Sequence, residues 1–272
     1  DGLFALPEKK ADEPESLDDL YVGLPLEEFI TGSQIQYEIF LRLGPTKYVK
    51  IAHSGENLNP ERIALLKAKG MGCLHLRRDD YARYVGFAVR LQQVAADSKT
   101  LASSKQFAVM KHAGEAVLKG IMIEGLDPQK SAFTEQFVKS TIQVLSASKE
   151  IASLISVLNS HSDFLLSHSV AVSFYAVLIA REMGWHSHQT LFKASTAGLL
   201  HDVGKKEILR EIVVKSRLEL EPTDIVMLET HPTRGAELLS QIPSMPSDVV
   251  QVALEHHEDC LGLGYPRHLN RK

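Results

Sequence analysis

The chain is poor in cysteine: Cys73 and Cys260 are its only two, far apart and in no Cys-x-x-Cys pair. That argues against a disulfide framework and fits a reducing compartment. Net charge is also small, −4 from 30 basic and 34 acidic residues. It offers no bulk attraction to a nucleic acid polymer or an acidic membrane. No long uncharged apolar run is present to span a bilayer, and there is no internal repeat or low-complexity tract. The start, Asp1-Gly2-Leu3-Phe4, is neither a signal peptide nor a methionine start, and it reads as a fragment or a processed chain. These absences lead to the expectation of a cytoplasmic globular protein. What the chain does have is histidine: twelve in 272 residues, most of them after residue 160.

Length suits one large domain or two ordinary ones. Residues 1–20 are acidic and contain Pro7 and Pro14, which predicts a poorly ordered leader. Next comes a small α/β module over residues 21–82. Its β-rich runs Tyr37–Leu43 and Tyr48–Ile51 flank Gly44-Pro45, a hairpin pattern. Asn59-Pro60-Glu61 opens a helix with Ile63, Leu65 and Leu66 as its apolar face, and Leu74–Arg77 is a short strand. The module has no phosphate loop and no basic stripe, and its Arg77-Arg78-Asp79-Asp80 run reads as a solvated turn. It is expected to be a regulatory or partner-binding domain.

Helical periodicity then takes over. Residues 83–146 are expected to be connecting helices, which could also pair two copies of the chain into a homodimer. Residues 147–272 read as an all-α domain, with helices expected over Glu135–Leu158, Phe164–Met183 and Thr190–Leu200, from Glu221 to about His231, and over Arg234–Leu239 and Ser247–Glu258. The fold class is thus mainly α, with a helical C-terminal domain behind a small α/β one.

The chemistry gathers around Leu199–Lys205, where His201 and Asp202 stand side by side after an apolar helix. Imidazole nitrogen and carboxylate oxygen suit a borderline divalent metal such as iron, manganese or zinc. Asp202 has two oxygens and could bridge two metals while His201 binds one. Gly204 would let the chain turn, and Lys205 would return a cation towards a bound anion. His168 alone reads as a core histidine. His231, ahead of Pro232, reads as a helix-end cap, because proline disfavours helix at the preceding residue. His256 and His257 could serve two metals about 3.5–4 Å apart, or be two solvated surface histidines. His53, His75, His112, His161, His186, His188 and His268 read as surface or structural, and Cys260 as a small buried residue.

Taken together, His168-Ser169, His201-Asp202-Val203-Gly204-Lys205, His231-Pro232-Thr233-Arg234-Gly235, His256-His257-Glu258 and Gly264-Tyr265-Pro266 resemble the HD-GYP branch of the HD phosphohydrolase superfamily, in order and in approximate spacing. The resemblance covers roughly residues 135–272. It implies hydrolysis of cyclic di-GMP, or a related cyclic dinucleotide, by a metal-bridging hydroxide with no side-chain nucleophile. It also implies His168, His201, Asp202, His231, His256 and His257 as ligands of divalent metals, iron or manganese. Asp202 and Lys205 would be catalytic, and Lys205, Gly264, Tyr265 and Pro266 would hold substrate.

Departures from the family pattern sharpen these expectations. Leu261 stands where the family carries an Asp in its Asp-Gly-x-Gly-Tyr-Pro loop, so that loop loses a carboxylate. Phe164 stands where three-metal members carry a Glu, with Asp163 one residue off the required face, so two metals are expected rather than three. The family also places a further Asp ligand on a helix that would lie beyond Lys272. The alternative to an enzyme is a degenerate module that binds metal or cyclic dinucleotide as a receptor without turnover.

Overall fold

The structure, a computed structural model, describes residues 20–26, 34–45, 47–148, 150–159, 164–216 and 218–270. All but Leu20 of the expected leader over residues 1–20, and Asp163 and His161, lie outside them. The chain divides into two compact units, Asp1–Tyr84 and Val85–Lys272.

In the first unit, β1 (Tyr21–Pro25), β2 (Ile39–Gly44), β3 (Lys47–Ala52) and β4 (Cys73–Arg77) form one antiparallel sheet in the order β1-β4-β2-β3. The expected hairpin is β2–β3. The expectations omitted β1, whose Gly23 and Pro25 weaken a strand reading. Its alternation is nonetheless clean, with Val22 and Leu24 buried beside Leu74 and Leu76 of β4. On the opposite face the rings of Tyr21 and Tyr48 stack 3.9 Å apart, although β1 and β3 are the two outer strands. The two tyrosines therefore lean towards each other across the sheet, and Phe40 lies buried against Tyr21.

Helix α1 (Pro60–Ala68) starts where Asn59 Oδ1 accepts the Arg62 N–H. None of its residues is buried and Leu65 is largely exposed, so the expected apolar face is not a core face. Asp80, expected in a solvated turn, is buried and accepts a 2.8 Å bond from Arg83.

The second unit is helical. Helix α2 (Tyr81–Asp97) runs into it, followed by α3 (Ser103–Glu124), α4 (Pro128–Ala147), α5 (Ile151–Leu158), α6 (Phe164–Glu182) and α7 (His188–Leu200). Helix α4 begins earlier than expected, because Asp127 caps it ahead of Pro128, a strong start signal. The expected single helix over Glu135–Leu158 is two, since Ser148 takes an extended conformation. Buried Gln92 ties α2 to α4 through the Phe137 carbonyl and the Thr141 hydroxyl, both at 3.1 Å. The helices expected to be connectors belong to this same unit, α3 packing on α4, α5 and α6, and α4 on α7.

Helix α6 has, over Leu165–Glu182, the length and apolar composition of a membrane-crossing helix, against the expectation of no such run. Its Val170, Phe174 and Val177 are buried, and it packs on α3, α4 and most extensively α7. Each large apolar side chain buried in this way contributes about 1.5–3 kcal/mol, which gives the composition a use inside the domain. After α7 come a 3-10 turn over Val203–Glu207, then α8 (Arg210–Val213), α9 (Pro222–Leu228), α10 (His231–Ser240) and α11 (Ser247–Glu255).

Burial first, and then the ammonium groups of Lys111 and Lys119, push the His112 imidazole in α3 down to about 4. The unfolded chain takes this proton near pH 6.5. Between pH 6.5 and 4 the unfolded state thus binds more protons, and stability falls as pH drops through that window, by about 3 kcal/mol at most. Thermal unfolding of His112→Gln between pH 7.5 and 4.5 is expected to show a shallower acid-side loss than the wild type.

Candidate metal centre

Three histidines reach the site by one device. Helix α7 ends at Leu200, α9 at Leu228 and α11 at Glu255, and His201, His231 and His256 follow these ends within three residues. The last carbonyls of a helix have no intrahelical partner. Each imidazole takes one of them through Nδ1: His201 with Gly198 O at 2.8 Å, His231 with Leu228 O at 2.7 Å and His256 with Ala253 O at 2.9 Å. A carbonyl can only accept, so Nδ1 carries the proton, and in the neutral ring Nε2 is left as a bare lone pair. His231 stands at a helix end as expected, capping the last carbonyl of α9 with its imidazole. His231 begins α10, with proline in the first turn, where its missing N–H is harmless.

The three Nε2 atoms converge on Asp202. His201 Nε2 lies 3.4 Å from Oδ2, while His231 and His256 Nε2 lie 3.2 and 3.6 Å from Oδ1. The Nε2 atoms of His231 and His256 are only 3.1 Å apart. Lone pairs facing lone pairs and a carboxylate repel unless a cation sits among them. Asp202 Oδ1 is buried and accepts no hydrogen bond. The negative ends of three helix dipoles back the same cluster and favour positive charge there. The residues therefore fit a divalent metal.

Donor atoms fall into two groups that share one member, His168–His201–Asp202 and Asp202–His231–His256–His257, each with its atoms within 4.8 Å of one another. All six residues expected as ligands are thus brought together. His168, on α6, and His257 are exposed, whereas His201, Asp202 and His231 are buried. Burial opposes ionisation of Asp202, but contacts with His201, His231 and His256 outweigh it and hold the carboxyl well below the usual range. Burial, then the neighbouring His256 and His231, push His257 down to about 4, and burial with His201 lowers His168. Both shifts favour the neutral imidazole, the form with a lone pair to offer a cation. Lys205 Nζ sits 2.6 Å from Asp202 Oδ2.

The glycine in the His-Asp segment is not there for a turn. A Cβ on Gly204 would lie 2.0 Å from the His231 carbonyl and 2.5 Å from the Gly235 nitrogen. The 3-10 turn and α10 touch backbone to backbone at this point, which sets His231 against Asp202.

After α11 the chain makes a loop. Tyr265 N–H bonds the His257 carbonyl at 3.1 Å, and the Tyr265 ring stacks on the His257 ring at 4.5 Å and 18°. A Cβ on Gly264 would meet the His257 carbonyl at 2.4 Å, so only glycine allows this approach. Pro266 follows on the same loop, half-buried. Cys260 is exposed rather than buried. Leu261 does not leave the loop without a carboxylate: Asp259 Oδ1 accepts the N–H groups of Leu261 and Leu263 at 2.8 and 2.9 Å. Glu258 accepts from Arg267 and Leu269 N–H at 2.5 and 2.9 Å. The sequence reading missed both roles, although an Asp ahead of a Gly-rich stretch is an Asx-turn signal.

Residues 152–272 match the HD domain family model. The chain is 33% identical over 109 residues to a cyclic di-GMP phosphodiesterase of Pseudomonas aeruginosa, covering 40% of this chain and 26% of that protein. It is 31% identical over 125 residues to a cyclic di-GMP phosphodiesterase of Thermotoga maritima, covering 45% and 33%. The match thus spans about a quarter to a third of the length of these relatives. A solved structure of an HDG"Y"P protein from Bdellovibrio bacteriovorus shares the fold, with a TM-score of 0.69 at 15% identity over 92% of this chain and 81% of that one.

Proposed function

We propose that this chain, whose residues 152–272 match the HD domain family model, is a metal-dependent phosphodiesterase that opens cyclic di-GMP or a closely related cyclic dinucleotide. The observation that carries the reading is the pair of donor groups joined at Asp202. His168 and His201 would hold one cation, and His231, His256 and His257 the other, with Asp202 bridging. Iron and manganese suit this nitrogen and oxygen donor set. Such ions supply Lewis acidity and activate water at neutral pH.

The chain's own residues do the rest. Carbonyls of Gly198, Leu228 and Ala253 fix the tautomer and tilt of the three buried-side imidazoles. Lys205 supplies a positive charge for the phosphate, from a partly exposed position beside Asp202. Tyr265 holds the His257 ring in one orientation, and Gly264 and Pro266 continue that wall. Water's oxygen joins phosphorus as the bond to the leaving ribose oxygen breaks, and a linear dinucleotide results. The names of the relatives support the substrate class. We place the protein in the cytoplasm, a reducing compartment that suits the thiols of Cys73 and Cys260, and we assign residues 21–82 a regulatory or partner-binding role.

Protein purified without oxygen is expected to carry about two metal ions per chain and to convert cyclic di-GMP to linear product. His168→Ala is expected to lose one metal and keep the other, since only the first donor group contains it. Metal without product after iron or manganese loading would favour the receptor reading, and no metal at all would sink both.

A further inference from the structure

The loop after α11 contains a carboxylate that neither the metal groups nor the substrate contacts use. Asp259 lies two residues beyond His257, and its Oδ1 accepts two backbone N–H groups, from Leu261 and Leu263. These bonds close the first half of the loop around one oxygen. The next residue, Gly264, is pressed against the backbone of His257, Glu258 and Asp259, with no room for a Cβ. Tyr265 follows, bonded through its N–H to the His257 carbonyl and stacked on the His257 ring. The second half is closed separately: Glu258 takes the Arg267 and Leu269 N–H groups, and Leu261 pairs with Asn270.

We propose that Asp259 is a positioning residue of the metal centre: by gathering the Leu261 and Leu263 N–H groups on Oδ1 it sets the Gly264–Tyr265 segment, and so fixes the His257 ring against which Tyr265 stacks. The chain of contact is short and backbone-borne. A loop without this acceptor has two N–H groups to satisfy with water and loses the pair of bonds that closes its first half and brings Gly264 against residues 257–259. Tyr265 then no longer restrains His257, the most exposed member of the second donor group. Leu261 and Leu263 themselves are largely exposed, at 68% and 78%, so their side chains do not hold the loop shut. The link from loop to metal rests on the proposed function, whereas the link from Asp259 to loop does not.

Asp259→Ala and Asp259→Asn separate the two links. The amide of Asn keeps an Oδ1 acceptor and removes the charge. Hydrogen exchange at the Leu261 and Leu263 amides reads the loop directly, in metal-free protein. It is expected to be protected in the wild type and in Asp259→Asn and to accelerate about 10-fold or more in Asp259→Ala, the loss expected when a local closure is removed. Manganese titration of the full chain reads the second link. Asp259→Ala is expected to weaken one of two sites about 10-fold, as loss of a supporting partner does, and to leave the other unchanged, while Asp259→Asn matches the wild type. Unchanged exchange in Asp259→Ala overturns the proposal, and so does Asp259→Asn behaving like Asp259→Ala, since charge rather than the acceptor would then matter. Accelerated exchange with both manganese affinities intact overturns the positioning role alone. A wild type that binds no metal but shows the exchange pattern overturns the proposed function and confines Asp259 to the loop.

Discussion

Asp202→Ala is expected to empty both halves of the centre at once. Among the described residues no other belongs to both donor groups, so each histidine variant removes one donor from one group while this variant removes one from each. On the proposed phosphodiesterase reading, metal content should fall from about two ions per chain to near zero, and turnover of cyclic di-GMP by about 10³-fold or more, because the site would lose both water activation and charge stabilisation. Folding is expected to survive. In metal-free protein the carboxylate also keeps company with the Lys205 ammonium at 2.6 Å, and a partly exposed lysine can turn to solvent when the partner goes. Circular dichroism unchanged, with metal lost by elemental analysis and linear product lost by chromatography, is the expected set of results. Two ions retained in Asp202→Ala would show that the carboxylate bridges nothing.

The second large effect comes from a single methyl group. Gly204→Ala would place a Cβ 2.0 Å from the His231 carbonyl and 2.5 Å from the Gly235 nitrogen. Both obstacles are backbone, so no rotamer change relieves the clash, and the 3-10 turn must part from α10. Overpacking of this kind costs about 3 kcal/mol or more, and for a helical unit of this size that lowers the unfolding midpoint by about 6–12 °C. Because Gly204 lies between Asp202 and the contact with His231, the same movement should pull His231 Nε2 away from Asp202 and weaken the second donor group. Thermal denaturation with metal titration checks both. A variant with wild-type melting and wild-type metal affinity would contradict the close approach.

These two residues also show what was legible in the sequence. Asp202 was legible because adjacency to His201 is a local fact, and its capacity to bridge follows from having two oxygens. The need for Gly204 was visible, but the reason was not: a turn is a local guess, whereas the contact with His231 and Gly235 joins segments about thirty residues apart. His231 was legible as a cap at the end of a helix, and its imidazole does bond the last carbonyl of α9. What was not legible is that His231 also begins α10, with Pro232 in its first turn. Strand β1 was lost to Gly23 and Pro25, and only pairing with β4 makes its alternation meaningful. Leu261 looked like a lost carboxylate because position was weighed and geometry was not. Asp259, two residues earlier, reaches the same stretch of backbone.

The way the imidazoles are mounted has a bearing on how such a protein can vary. His201, His231 and His256 each hang from the last turn of a helix by a bond to the residue three places before. Inserting one residue within that final turn would swing a ring by about 100° around the helix axis and out of reach of Asp202. Lengthening the segment between α8 and α9, or between α10 and α11, would move no ring at all. The chain is therefore stiff in four-residue parcels and elastic between them, so its relatives should differ in the lengths of those connections and agree, residue for residue, across each parcel.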